Sequence, residues 1–112
     1  MHELHLNDGP FNNIKNGTKT IEMRLFDEKR KLIQENDIIE FENRTTKEIL
    51  KTRVKALHKY PTFEELYKHF DKISLGYDEN EKANSQDMDI YYSIEEQEKY
   101  GVVGIEIEVI KE

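Results

Sequence analysis

Short segments of alternating apolar and polar residues constrain the fold of this chain more than any other feature. In the clearest of them, residues 102–110, Glu106 and Glu108 alternate with apolar side chains. A two-residue period of this kind is typical of a strand that buries one face. Four further segments have strand-like composition and are bounded by turn residues: 3–6, 19–25, 37–42 and 49–58. The chain is therefore predicted to contain about five short strands.

Three stretches predict helices between these strands. Pro10 and Gly17 suit the beginning and the end of the first helix. The other two begin with the capping-box spacing, in which Ser or Thr is followed three residues later by Glu. These pairs are Thr62 with Glu65 and Ser93 with Glu96. Residues 76–86 are polar and rich in turn formers, which indicates a loop inside the domain. Together the elements predict an α+β fold with a small, highly twisted sheet.

The length of the chain has room for one domain. At 112 residues it matches the commonest domain size, so we predict a single domain over residues 1–112. No apolar run approaches the roughly 20 residues that cross a bilayer. The chain has no cysteine, which excludes disulfides, thiolate metal sites and cysteine nucleophiles. These features favour a cytoplasmic protein, and nothing in the sequence indicates a cofactor.

Charge is distributed unevenly along the chain. Residues 1–60 carry 12 Lys and Arg against 10 Asp and Glu, whereas residues 61–112 carry 5 against 14. The balances of +2 and −9 give the net charge of −7. A protein that coats duplex nucleic acid non-specifically presents a broad basic face. The acidic balance argues against that function and leaves a short single strand, a nucleotide or a nucleoside as compatible ligands.

Three charged residues at fixed offsets follow a turn glycine between Gly17 and Arg24, where the sequence is G-T-K-T-I-E-M-R. Strand alternation places Glu22 and Arg24 on one face. Lys19 begins the predicted strand beside Gly17, where its long side chain can turn toward either face. In a cleft, Arg24 would offer paired donors to a phosphate or a base edge. Glu22 would accept from an amine or orient Arg24, and Lys19 would act as a point charge or transfer a proton.

This spacing resembles the G-x-K-x-x-E-x-R signature of the ASCH family, whose members are small PUA-like barrels related to RNA-binding domains. The similarity continues through residues 26–41, a basic loop and a strand, and through residues 91–107. The family usually has Gly-Asp where this chain has Asn36 and Asp37, and Asn also tolerates a left-handed turn. The resemblance implies a mixed β-barrel of about five or six strands, with two to four helices plugging its ends.

The leading functional hypothesis is a module that binds RNA, or a nucleotide or nucleoside. Its cleft would be lined by the signature residues Gly17, Lys19, Glu22 and Arg24. A second group of cations lies on one face of the strand predicted over 49–58 and would aid binding. We call it the basic stripe, and it comprises Lys51, Arg53 and Lys55.

A second hypothesis is an amidohydrolase that acts on an acylated nucleoside. Some small bacterial members of the family remove the acyl group of acetylcytidine with a lysine, a threonine and a glutamate. Lys19 matches the lysine, but Glu22 stands where those enzymes have threonine. Glu22 would then have to activate a water while Lys19 stabilises the oxyanion. For the third residue the alternatives are Glu95, Glu96 and Asp87.

A third hypothesis is a protein-interaction domain whose acidic second half makes the contact. Tyr91 and Tyr92 are interpreted as packing residues, with stacking on a base as the alternative. His2 and His5 have no third ligand near them in sequence, so we do not expect a metal site. The sequence leaves the ligand and the oligomeric state open.

Overall fold

A curled, five-stranded half-barrel sheet organises residues 1–111, which are the residues that the computed structural model describes. The predicted domain extends one residue further, and residue 112 lies outside the described residues. The strands are β1 (His2–Leu6), β2 (Ile21–Leu25), β3 (Ile38–Asn43), β4 (Ile49–Tyr60) and β5 (Val102–Val109). Their order across the sheet is β1-β3-β4-β5-β2. The β1–β3 pair is parallel and the other three pairs are antiparallel.

Helices lie between the strands and cover the sheet. They are α1 (Asp8–Lys15), α2 (Phe63–Tyr67) and α3 (Ile94–Tyr100), with 3₁₀ helices at Arg30–Leu32 and Ser85–Ile90. The predicted α+β class is therefore confirmed. Both predicted capping pairs form, since the Thr62 hydroxyl accepts from the Glu65 amide and Ser93 and Glu96 make a reciprocal box. No helix within the described residues is long and apolar enough to cross a membrane.

Some predicted boundaries differ from the structure by one to three residues. The second strand begins at Ile21, two residues later than predicted. The reason is that the Lys19 amide donates to the Asn13 carbonyl at 3.0 Å, while the amides of Thr20 and Ile21 both donate to the Ser74 carbonyl. Lys19 is thus held by the end of α1, outside the sheet. The left-handed turn predicted at residue 36 is present, since Asn36 has a φ of 72°.

Apolar side chains pack against both faces of the sheet near β2 and β5. One cluster lies between α1 and the sheet and includes Phe11, Phe41 and Ile105. The other packs α2 against the opposite face and includes Ile21 and Leu66. All residues of β2 except Arg24 are buried. A charged residue in the middle of β2 therefore lies in the interior, and it needs partners there.

Candidate functional site

Glu22 is buried in β2, and two cations hold its carboxylate. Lys19 Nζ lies 2.9 Å from Glu22 Oε1. Arg24 Nε donates to Glu22 Oε2 at 2.9 Å, and Arg24 Nη2 lies 2.8 Å from the same oxygen. Only 4% of the Glu22 side chain is exposed, against 9% for Lys19 and 12% for Arg24. The three signature residues therefore form one buried ionic cluster.

The cluster fixes the ionisation of Glu22. Burial alone would raise the pKa of its carboxyl, because a charge loses water contacts in the interior. The charges of Lys19 and Arg24, and their hydrogen bonds, outweigh burial and lower the pKa below its ordinary value. Glu22 is therefore ionised at neutral pH, with one oxygen engaged by each cation. This arrangement suits a residue that orients its neighbours.

Arg24 is oriented by groups from three parts of the chain. Besides Glu22, its Nη2 donates to the His5 carbonyl of β1 at 3.0 Å. Burial alone would lower the pKa of the Arg24 guanidinium, but the Glu22 carboxylate and the Tyr92 side chain raise it. The guanidinium is therefore a fixed positive charge, and its plane is set by the surrounding protein.

Lys19 keeps part of its hydrogen-bonding capacity for other groups. An ammonium has three N–H donors, and Glu22 is its one polar partner among residues 1–111. The side chain runs across Gly76, where a Cβ would lie 3.0 Å from Lys19 Cδ. Gly76, with a φ of +108°, thus leaves the space through which Lys19 reaches the cluster.

A cavity of about 170 Å³ adjoins the cluster, and we call it the first cavity. Apolar, aromatic and cationic side chains contribute to its walls. Its lining comprises His5, Leu6, Asn7, Pro10, Lys19, Glu22, Met23, Arg24, Arg44, Met88, Tyr91 and Tyr92. Lys19, Arg24 and Arg44 against Glu22 give the lining a charge of +2 with neutral histidine. In a chain with a net charge of −7, this cavity is a local positive site.

The basic stripe lies outside the first cavity. Lys51, Arg53 and Lys55 are exposed along one face of β4, as the alternation predicts. Arg53 donates to the Asn36 carbonyl at 3.1 Å, and none of the three lines the first cavity. Gly17 does not line it either. The first cavity thus contains three of the four residues predicted to line the cleft, whereas Gly17 and Lys55 line a separate cavity with Lys19.

The acidic residues that were candidates for a catalytic set are not part of the ionic cluster and make other contacts. Glu95 is exposed on α3, and Glu96 belongs to the capping box of that helix. Asp87 accepts a hydrogen bond from the Tyr77 hydroxyl at 2.7 Å. None of the three lines the first cavity, and no Ser or Thr does so within residues 1–111. Among the described residues, the hydroxyls that line it belong to tyrosines.

The sequence patterns did not predict several of the residues that line the first cavity. Arg44 is the clearest case, since it lies in the turn after β3, between the segments 37–42 and 49–58 that were predicted as strands. The parallel pairing of β1 with β3 places Leu6 opposite Asn43, and the Arg44 amide then donates to the Leu6 carbonyl at 2.9 Å. Local sequence patterns do not reveal such a pairing, because parallel neighbours are distant along the chain.

Three of the four histidines lie close to carboxylates. His2 lies 2.8 Å from Asp37, and His58 lies 3.0 Å from Glu106. His5 lies 3.3 Å from Glu42, the residue opposite it in the parallel pair. Within residues 1–111, no group of three His, Cys, Asp or Glu side chains is arranged to hold a metal ion.

Comparison with known proteins gives one family and several solved structures. A family model described as the ASCH domain matches residues 4–111. No curated protein matches the chain in sequence. The crystal structure of the hypothetical protein PH0355 is 37% identical, has a TM-score of 0.81, and the alignment covers 96% of this chain and 97% of that chain.

Two further structures are similar over most of the chain. The solution structure of protein PF0455 from Pyrococcus furiosus is 36% identical with a TM-score of 0.72, covering 99% of this chain and 98% of that chain. A crystal structure of a ZmASCH mutant from Zymomonas mobilis has a TM-score of 0.66, covering 97% of this chain and 70% of that chain. At 14% identity, this last likeness is one of fold, and it matches the predicted PUA-like barrel architecture.

Proposed function

Since the chain belongs to the ASCH domain family, we propose that it binds single-stranded RNA, or a free nucleotide or nucleoside, in the first cavity. One observation carries the proposal. A buried carboxylate, Glu22, holds Lys19 and Arg24 at the wall of a cavity that also has two tyrosines. This arrangement offers fixed donors beside aromatic rings, which is what recognition of an unstacked base requires.

The cations supply the polar part of recognition. Lys19 has two N–H groups that no group among residues 1–111 accepts. Arg24 and Arg44 add guanidinium groups to the same lining. Base carbonyls, ring nitrogens and phosphate oxygens are the acceptors that these donors match. Glu22 itself acts as a positioning residue, since both of its oxygens are engaged within the protein.

Other residues that line the first cavity supply apolar contacts to a base. Tyr91 is 63% exposed, so its ring can cover a base that enters the cavity. Met23, Met88 and Leu6 add apolar surface. The volume of about 170 Å³ is below the roughly 300–1,000 Å³ of sites for drug-sized ligands. The first cavity is therefore matched to one base, and the rest of a nucleotide would lie outside it.

The basic stripe would act on a longer strand only. Because Lys51, Arg53 and Lys55 are exposed and lie outside the first cavity, they would contact flanking phosphates. Such contacts add affinity that depends on salt and carry no sequence information. A single nucleoside would bind without them.

A titration with short single-stranded RNA tests the proposal. Wild type, Arg24→Ala, Arg24→Lys and Arg53→Ala are compared by fluorescence anisotropy over a range of salt concentrations. We expect log affinity to fall with log salt at a slope of about −0.7 per neutralised phosphate. Arg24→Ala should weaken binding most. Arg24→Lys should recover part of the loss, because it keeps the charge but not the planar fork.

Arg53→Ala should mainly reduce the salt slope, and its effect on the affinity for a free nucleoside should be negligible. Circular dichroism and the denaturation midpoint of each variant establish that it is folded. An absence of salt-dependent association with any RNA, together with no binding of a free nucleotide or nucleoside, would overturn the proposal. A loss of affinity in Arg53→Ala that equals the loss in Arg24→Ala would move the binding site away from the first cavity.

A further inference from the structure

A second cavity, of about 460 Å³, adjoins the first. Five residues line both cavities, so they are neighbouring parts of one cleft. The shared residues are Pro10, Lys19, Met23, Met88 and Tyr91. A ligand whose base occupies the first cavity therefore has its remaining atoms within reach of the second.

The polar groups of the second cavity form a chain of hydrogen bonds that ends on a carboxylate. Tyr77 donates to Asp87 Oδ2 at 2.7 Å, and Tyr67 Oη lies 2.8 Å from Tyr77 Oη. Burial raises the pKa of both tyrosine hydroxyls, so both remain protonated. Because the Tyr77 proton is directed to Asp87, Tyr67 donates to Tyr77. The chain thus orients Asp87 from one side.

Asp87 keeps its other oxygen available. Among residues 1–111, no group donates to Asp87 Oδ1. The residue is exposed at the rim of the second cavity. A carboxylate at the rim, with one oxygen fixed and one open, is an acceptor for hydrogen-bond donors of a ligand.

The two cavities differ in the sign of their charge. Lys19 against Glu81 and Asp87 gives the second lining a charge of −1, whereas the first has +2. A phosphate is disfavoured beside Asp87 by like-charge repulsion. A neutral group that donates hydrogen bonds is favoured. In a nucleotide, the sugar hydroxyls are the groups of this kind adjacent to the base.

The segment that carries Asp87 is held on both sides. The Asn84 side chain accepts from the Gln86 amide at 2.9 Å and begins the 3₁₀ helix. Two residues beyond Asp87, Asp89 accepts from Gln97 of α3 at 3.0 Å. The acceptor is therefore pre-organised, and little ordering entropy is lost when a ligand binds.

We infer that the second cavity binds the ribose of the nucleotide whose base lies in the first cavity, an inference that rests on the proposed function. Asp87 Oδ1 accepts a hydrogen bond from the 2′-hydroxyl, with Tyr77 holding the carboxylate. The 2′-hydroxyl is the group that distinguishes RNA from DNA. The protein consequently selects ribose over deoxyribose.

The test compares three matched oligonucleotides of one sequence: RNA, DNA and 2′-O-methyl RNA. Each is titrated into wild type, Asp87→Asn, Tyr77→Phe and Glu64→Gln. Glu64 is exposed in α2 and lines neither cavity, so Glu64→Gln is the control for loss of one negative charge. We expect wild type to bind RNA about tenfold or more tightly than DNA, as a hydrogen bond to a charged group implies.

The 2′-O-methyl strand cannot donate from that position and should bind like DNA. Asp87→Asn should bring RNA affinity close to DNA affinity, and DNA affinity itself should change only as much as it does in Glu64→Gln. Tyr77→Phe should reduce the preference partly, and Glu64→Gln should keep it. Equal binding of RNA and DNA by wild type, or 2′-O-methyl RNA binding like RNA, would overturn the inference while the proposed function stands.

Equal losses for RNA and DNA in Asp87→Asn would show that Asp87 only supports the fold, and would also overturn the inference. An absence of binding to all three strands would instead overturn the proposed binding of RNA. The two failures are therefore distinguishable in one experiment.

Discussion

Lys19 crosses directly over Gly76, so closely that a Cβ at position 76 would lie 3.0 Å from Lys19 Cδ and 3.6 Å from Lys19 Nζ. The contact joins Lys19, two residues before β2, to a loop far along the chain. It sets the direction in which the ammonium reaches Glu22, whose Oε1 is 2.9 Å from Lys19 Nζ. The geometry of the ionic cluster therefore depends on a position that carries no functional group.

Gly76→Ala should damage both the fold and the site. A φ of +108° is strained for any residue with a Cβ, which costs roughly 1–2 kcal/mol of unfolding free energy. The added methyl group must also displace Lys19, so RNA affinity should fall. Urea denaturation gives the first effect, and titration of the folded variant gives the second.

Gly101→Ala is the matched control for that variant. Gly101 also has a positive φ, of 74°, and its nearest contact is the Tyr60 carbonyl. Gly101→Ala should lose comparable stability but retain RNA affinity, because it does not touch Lys19. Equal affinity in the two variants would contradict the role given to Gly76.

Glu22→Gln should destabilise the fold at neutral pH. Removing one charge from a buried ionic cluster leaves Lys19 and Arg24 without compensation, at a cost of about 3–5 kcal/mol. The effect should depend on pH with a definite sign. Since the folded-state pKa of Glu22 lies below the ordinary 4.5, its contribution is present above that pH and is lost as pH falls through the lower folded value.

The measurement is urea denaturation of wild type and Glu22→Gln at pH 7 and at pH 3. The difference in unfolding free energy should shrink at pH 3. Glu28→Gln is the control, because its partner Lys31 is 3.7 Å away and the Glu28 side chain is 87% exposed. Such a surface pair contributes between about 0 and 1 kcal/mol. A difference for Glu22→Gln that is independent of pH would contradict the proposed ionisation.

Much of the fold could be predicted because its signals are local. Alternation identified the strands, and the hydroxyl-to-Glu spacing identified the starts of α2 and α3. The likeness of the signature to a known family then supplied the barrel. Alternation also placed Glu22 and Arg24 on one face, where the structure joins them at 2.9 Å.

The rest of the site depends on contacts between distant segments. The interpretation of Lys19 as a strand residue was wrong, because its backbone amide donates a hydrogen bond to the Asn13 carbonyl of α1. Nothing in the loop after Leu75 indicated that Gly76 would lie under Lys19, or that Asp87 would be held by Tyr77. The curl of the sheet places the basic stripe outside the first cavity. Alternation does not specify this curl, so the sequence could not predict where the stripe would lie.

Gln97 links α3 to two other parts of the domain through hydrogen bonds. Gln97→Met should remove these hydrogen bonds and destabilise the fold. Its Oε1 accepts from the Phe63 amide at 3.1 Å, and its Nε2 donates to Asp89 and to the Tyr92 carbonyl. The residue is 1% exposed, so the loss leaves buried groups unpaired and should cost about 2–3 kcal/mol.

The measurement is again urea denaturation, with Glu98→Met as the control on the exposed face of the same helix. That control should change stability by no more than about 0.5 kcal/mol. In hydrogen exchange, Gln97→Met should also lose protection at the Phe63 amide. Unchanged protection there would contradict the assigned hydrogen bond.

The wild-type protein should not release cytidine from acetylcytidine, although its signature has the lysine of the family's amidohydrolases. A general base works best when its pKa is near the operating pH, whereas the pKa of Glu22 is lowered. Both Glu22 oxygens are already held by Lys19 and Arg24. Thr20 does not line the first cavity, so no threonine is placed there as a nucleophile.

The assay incubates a high concentration of protein with acetylcytidine and follows cytidine by chromatography, with Lys19→Ala as the control. Binding of acetylcytidine without turnover is the expected result, because the donors of Lys19 and Arg24 can hold a nucleoside that nothing in the cavity attacks. Turnover by wild type that disappears in Lys19→Ala would contradict this prediction. It would mean that the Lys19–Glu22 pair opens when substrate enters and frees the carboxylate to activate water.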